Sequence, residues 1–338
     1  AFTVIFALYL ISQQRLAYLS MMFLGIGVFL TGFYPSVLGL YITTIIMSTG
    51  FHYLETINQS LSLQWLKKSE APIILGKISA VKSFVGLFVF ALIYVMMKFY
   101  TLEYKYVYAF FGLGTFLIGV FSWYLFDHFK DDIIQDKKIV LKKEYWLFYL
   151  LTFFAGARRQ IFVVFAAFLM VEKFGYSASQ VTLLFLINYA FNWFFAERIG
   201  QLIGKFGERK ALTLEYIGLI IVFISYGLVD DATLAAGLYI LDHMFFAMAI
   251  AISTYFQKIA DPRDMASSAG VSFTINHIAA VIIPAVLGMV WIWSHSLVFY
   301  IGACFALASL IAAQYIPKVP SPGYETSFST KFKQVLEK

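Results

Sequence analysis

Apolar residues in this chain run in long unbroken stretches separated by short polar turns. The stretches cover residues 1–11, 17–33, 36–62, 74–97, 104–126, 145–171, 178–203, 211–229, 233–256, 268–291 and 295–316. All but the first are about 17 to 28 residues long, enough for a helix to cross a hydrocarbon core about 30 Å thick. A membrane β-barrel would instead show segments of about ten residues in strict alternation. The pattern predicts an all-α, polytopic membrane protein. The connection at 127–144 is the longest and most charged, so it divides the chain into an N-terminal membrane half, 1–126, and a C-terminal half, 145–316. A tail at 317–338, carrying Pro317, Pro320 and Pro322, reads as irregular and surface-lying.

Composition strengthens this picture. The chain is 61% hydrophobic and only 13% charged, against about 25% charged in soluble domains, which excludes a water-exposed globular fold. Cys304 is the single cysteine and lies inside an apolar stretch, so there is no disulfide framework. Neither a His-x-x-x-His nor a Cys-x-x-Cys pair offers a metal site. No cofactor is called for: Gly112-Leu113-Gly114 sits within a span and not after a strand, so it is not a nucleotide loop. No nucleophile, base and oxyanion set can be assembled, which argues against an enzyme.

Lysine and arginine set the orientation. Arg15, Lys67, Lys68, Lys77, Lys130, Lys137, Lys138, Lys142, Lys143, Lys205, Arg209, Lys210, Lys258, Arg263 and the tail lysines fall on one side, and only Lys98, Lys105 and Lys173 on the other. The first side, with the central loop and the tail, is expected to be cytoplasmic, in a plasma or inner membrane. The net charge of +6 follows from this bias and from anionic lipid headgroups. No basic stripe with stacking aromatics suggests nucleic acid.

The chain also repeats itself at an offset of 194 without a gap. Ala17, Ile26, Val28 and Phe29 fall on Ala211, Ile220, Val222 and Phe223; Arg15 meets Arg209, Gly76 meets Gly270 and Tyr106 meets Tyr300. Two repeats of equal sidedness, related by an axis along the membrane normal, are one known transporter plan. Residues 145–194 have no counterpart ahead of Ala1, so about fifty residues, roughly one and a half helices, are expected to precede Ala1 in the natural protein.

With two such halves and a charged central loop, the chain resembles the major facilitator superfamily from Ala1 to about Ile316. One local motif adds to the likeness. Gly200-Gln201-Leu202-Ile203-Gly204-Lys205-Phe206-Gly207-Glu208-Arg209-Lys210 is similar to the family's glycine-rich loop, G-x-x-x-D-R-x-G-R-R, with Gly204 in place of its aspartate and Glu208 in place of a basic residue. The resemblance implies two six-helix halves, with eleven of twelve spans present here. It implies that this loop, through Gly200, Gly204, Lys205, Gly207 and Arg209, is a conformational latch. The stretches at 17–33, 104–126, 211–229 and 295–316 become outer, lipid-facing helices, and none shows an ionisable residue mid-span. The family's proline-and-glycine antiporter motif is not visible in 74–97.

Ionisable groups at bilayer depth are costly unless they face a partner or a water-filled cavity, so their positions are the candidates for chemistry. Arg158 and Arg159 stand near mid-membrane, about 100° apart around one helix. One is expected to fork onto an anionic group of a substrate; the alternative is a structural ion pair with Glu55 or Asp242. His52, Glu55, Thr56 and Gln59 share a helical face, and Asp242 adjoins His243. Both sets read either as proton carriers or as helix–helix hydrogen bonds. Lys82-Ser83 and Asn276-His277 match under the repeat and are candidate substrate contacts; Asn188 and Asn192 are candidates too, with packing bonds as the alternative. The deep arginines and Lys82 outnumber Glu55 and Asp242. This predicts a monomeric secondary transporter for a small anionic solute, working by alternating access and exchanging protons. The rival reading is a facilitator-like scaffold or assembly factor that has lost transport.

Overall fold

The computed structural model describes residues 11–100, 103–127, 135–136 and 141–328. Helices follow the apolar stretches: α1 Gln13–Thr31, α2 Val37–Trp65, α3 Ala71–Tyr100, α4 Tyr104–Leu125, α5 Trp146–Gln160, α6 Ala167–Glu172, α7 Ala178–Phe206, α8 Glu208–Leu228, α9 Ala232–Phe246, α10 Ile250–Ile259, α11 Met265–Trp293 and α12 His295–Ala313. Their starts carry local signals. Ser12 and Ser294 cap α1 and α12, Asp231 accepts from Leu234 N at 2.7 Å at the head of α9, and Ser177 and Gln180 form a reciprocal capping box at α7. Each cap satisfies a backbone N–H that the first helical turn leaves free.

Nine stretches among the described residues are long and apolar enough to span a membrane, where the sequence led to an expectation of eleven. The stretch at 1–11 lies, save for Ile11, outside the described residues. Helix α7 has the length, but Asn188, Asn192, Glu197 and Arg198 lower its hydropathy. Helix bounds also repeat at the sequence offset: α3 shifted by 194 would run from 265 to 294, and α11 runs Met265–Trp293.

The chain forms two compact units. The first takes in the described residues of Ala1–Trp65, Phe88–Leu141 and Pro262–Phe273. In it α1 packs on α2 and on α4. Gly25 and Gly112 let α1 and α4 meet backbone to backbone: a Cβ on Gly25 would lie 2.5 Å from Phe116 N, and one on Gly112 would collide with Phe29 N. Small residues at such crossings are the usual way helices associate in lipid, where apolar burial adds little. Polar contacts fix the register, with Ser60 and Gln64 both donating to Gln13 Oε1 at 2.9 and 3.1 Å. Of the central loop, residues 127, 135–136 and 141–144 are described. Gln135 donates to Pro262 O at 2.9 Å and accepts from Ala266 N at 3.1 Å, and Asp136 N donates to Arg263 O at 2.8 Å. Lys130, Lys137, Lys138 and His128 lie outside the described residues.

The second unit takes in Leu66–Leu87, Lys142–Asp261 and the described residues of Thr274–Lys338. Its core is aromatic: Phe148 stacks on Phe256 at 4.2 Å, Phe162 meets Tyr239 at 4.7 Å and Tyr226 stacks on Phe299 at 4.9 Å. The tail is irregular, as read from its prolines, yet it packs back on the unit. Tyr255 Oη donates to Glu325 O at 2.5 Å, Ser327 N donates to Tyr315 O at 2.8 Å, and Thr326 is buried. Residues 329–338 lie outside the description. Large apolar side chains face outward on both units, among them Val37, Phe110, Val281 and Ile292, a surface suited to lipid and not to water.

Candidate functional site

Helix α5 brings the two arginines to adjacent positions and the helical turn separates their fates. Arg158 is wholly buried. Its Nη1 donates to Ser309 Oγ of α12, its Nη2 lies 3.4 Å from Glu215 Oε1 of α8, and the guanidinium sits 4.4 Å from the Tyr216 ring centroid. Arg159 is exposed, with no hydrogen bond or ion pair to any described residue, and its charge is felt by His243 of α9. Directly after Gln160 the helix widens into a π-helical turn, Ile161–Ala166, before α6 resumes the α-helical spacing. Such turns are rare and are frequently found at functional positions.

Around Arg159 the second unit gathers polar groups. Asn276 of α11 packs against Gly156, one turn before Arg159; a Cβ there would lie 2.8 Å from its Oδ1. His277 follows it, half-buried. His243 lies 5.7 Å, ring to ring, from Phe162. A second group forms where α3 meets α7: Asn192 Nδ2 donates to Ser79 Oγ at 3.0 Å and Ser83 Oγ at 2.6 Å, with Lys82 exposed on the same stretch of α3. Asn188, one turn earlier on α7, is buried, and neither of its amide atoms has a partner among the described residues.

Asp242 of α9 is wholly buried, and neither carboxyl oxygen has a hydrogen-bond partner among the described residues. It interacts electrostatically with Arg158 and Glu215, and with Tyr226 and Tyr239. In the first unit His52 and Glu55 are half-buried on α2. The His52 ring lies 5.3 Å from that of Phe273, and Thr56 Oγ1 donates to His52 O at 2.7 Å.

The glycine-rich loop joins α7 to α8. A Cβ on Gly200 would collide with Pro72 O, so α3 and α7 touch there, and Gly207 turns the chain at φ +84°. Gly204 faces open space, Lys205 is exposed near the Phe206 ring and Arg209 is half-buried. The ion pair of this loop runs through Glu208, buried, whose Oε1 is 2.5 Å from Lys258 Nζ at the end of α10. Beside it Lys68 donates to Lys258 O at 3.1 Å and Gln257 donates to Leu66 O at 2.7 Å. Burial, and after it the Lys258 charge, pushes the Lys68 ammonium below the usual lysine range.

The model of the Major Facilitator Superfamily matches residues 1–284. The chain belongs to that superfamily. Similar solved structures agree on the fold. The Escherichia coli fucose:proton symporter superposes with a TM-score of 0.74 at 13% identity, over 93% of this chain and 86% of that one. The transporter FucP in the outward conformation gives 0.72 at 12%, over 91% and 84%. The human organic anion transporter gives 0.66 at 14%, over 89% and 77%. No curated protein matches. This facilitator is thus an integral multi-pass membrane protein with the fold of carriers that work by alternating access, and not an enzyme.

One residue of this facilitator was missed by the sequence reading. The stretch at 211–229 was read as showing no ionisable residue mid-span, and Glu215, near its start, is wholly buried and pairs with Arg158 where Glu55 or Asp242 had been named as the alternative partners. Its signal was indirect: a buried guanidinium demands an anion, and a glutamate one turn inside an apolar helix reads as a helix-end group until its neighbours are known. At the start of α12, His295 stacks on Trp291 at 4.2 Å, whose Nε1 donates to Glu172 Oε2 at 2.8 Å.

Proposed function

We propose that this facilitator is a monomeric secondary transporter that moves a small anionic solute by alternating access, exchanging protons as it does so. The observation that carries the reading is Arg159. A guanidinium exposed within an apolar span, with no anion among the described residues, calls for one from outside, and its neighbour Arg158 already occupies Glu215. His243, Asn276 and His277 are its companions in binding the solute. Lys82, Asn188 and Asn192, on α3 and α7, are the further candidates for solute contact. Glu55, His52, Asp242 and His243 are the candidates for carrying protons. Two similar structures are of a proton symporter and of an organic anion transporter, and both chemistries enter this reading as support.

The division into halves at 127–144 belongs to the same proposal, supported by the repetition of helix bounds at 194, as does a cytoplasmic side for the central loop and tail. The test is a thermal-shift screen of the full-length protein against carboxylates, phosphorylated sugars, sulfonates and neutral sugars, since a bound solute stabilises the folded state. Anionic solutes should raise the midpoint. Arg159→Gln should abolish the shift and Arg159→Lys should weaken it about tenfold in concentration, because lysine keeps the charge and loses the planar fork. A shift produced by neutral sugars alone, or one unchanged in Arg159→Gln, overturns the assignment.

A further inference from the structure

Arg158, Glu215 and Asp242 meet inside the second unit with no exposure at all. Were all three ionised, the cluster would hold one positive and two negative charges, a surplus anion in a dry interior that costs several kcal/mol. The geometry is lopsided as well. Arg158 spends its Nη atoms on Glu215 and Ser309, and Asp242 accepts no hydrogen bond from any described residue. The hydroxyls of Tyr226 and Tyr239 interact with Asp242 electrostatically and are likewise without a hydrogen-bond partner. A buried carboxylate would draw such donors to itself; a neutral carboxyl has less need of them.

We propose that this cluster is a binding site for one exchangeable proton, held on Asp242 while Arg158 pairs with Glu215 and passed to Glu215 when the guanidinium turns to Asp242. In that exchange an O–H bond on Asp242 breaks, one on Glu215 forms and the guanidinium moves the opposite way, so the cluster is neutral in both states. The groups facing the site are Arg158 from α5, Glu215, Tyr216 and Tyr226 from α8, and Tyr239 from α9 itself; α12 brings Ser309. The use of this proton in transport rests on the reading of the chain as a proton-coupled carrier. The existence of the site does not.

Infrared spectroscopy of the full-length protein in lipid at neutral pH tests it through the carbonyl band of a protonated carboxyl group, identified by its shift in heavy water. Wild type should show the band. Asp242→Asn should lose it, and so should Glu215→Gln, because either leaves Arg158 with one carboxylate. The double variant strands Arg158, and its thermal midpoint should fall by much more than the sum of the single changes. Absence of the band in wild type, its survival in the double variant, or a sodium-induced rise in midpoint that depends on Asp242 overturns the proton site. A band lost in Asp242→Asn whose uptake stays proton-driven supports the site and removes its coupling role. A missing band with proton-driven uptake in wild type overturns the site and leaves the transport reading standing.

Discussion

Two neighbouring arginines with opposite surroundings show how much one helical step decides. Rotation by about 100° per residue puts Arg158 among α8 and α12 and leaves Arg159 exposed. Replacing Arg158 by Met should lower unfolding stability by roughly 3 kcal/mol, because it leaves Glu215 buried without its cation; chemical unfolding in mixed micelles would measure the loss. The same change at Arg159 should alter stability by less than about 0.5 kcal/mol, as for other exposed positions. That the two would differ was legible in their adjacency. Which of them turned inward was not, because that depends on Glu215 and Ser309, residues 57 and 151 positions away. Asn192 was readable as a helix–helix bond, but its acceptors Ser79 and Ser83 are ordinary serines until α3 and α7 are seen side by side.

Helices were easy to find and their interruptions were not. Long apolar stretches announced α1, α7, α9 and α12, whereas nothing in Ile161–Ala166 marks a π-helical turn, since periodicity reports faces and not hydrogen-bond register. The glycine-rich loop was legible as a tight junction between α7 and α8. Its ion pair was not, because the resemblance pointed to basic residues and the structure uses Glu208 with Lys258. Glu208→Gln should cost on the order of 2 kcal/mol by leaving Lys258 half-paired, seen as a lower thermal midpoint. Lys68 adds a pH signature. The folded chain holds its proton less tightly than the unfolded chain, so this contact gains stability as pH rises toward the usual lysine range. A midpoint that climbs with pH in wild type and is flatter in Lys68→Met is the expected result.

At the scale of the molecule, the fold class followed from apolar lengths alone, and the superfamily from the repeat and one loop. The number of spans did not, since α7 mixes amides and charges into a membrane-length helix. Sidedness rests on lysine and arginine counts and makes a direct prediction. With Cys304 replaced by Ser, a cysteine at Lys142 should react with an impermeant maleimide only from the cytoplasmic side, and one at Lys173 only from the opposite side. Equal labelling of both from one side would reverse the orientation. The folded tail bears on how the protein is handled. Because Glu325 and Ser327 tie Pro317–Phe328 to Tyr255 and Tyr315, a fusion joined at Ile316 would strip a seal from the end of α10. One joined after Phe328 would leave that seal in place. A purification tag or reporter belongs beyond Phe328, and a chain cut at Ile316 should melt several degrees below one cut at Phe328 in the same detergent.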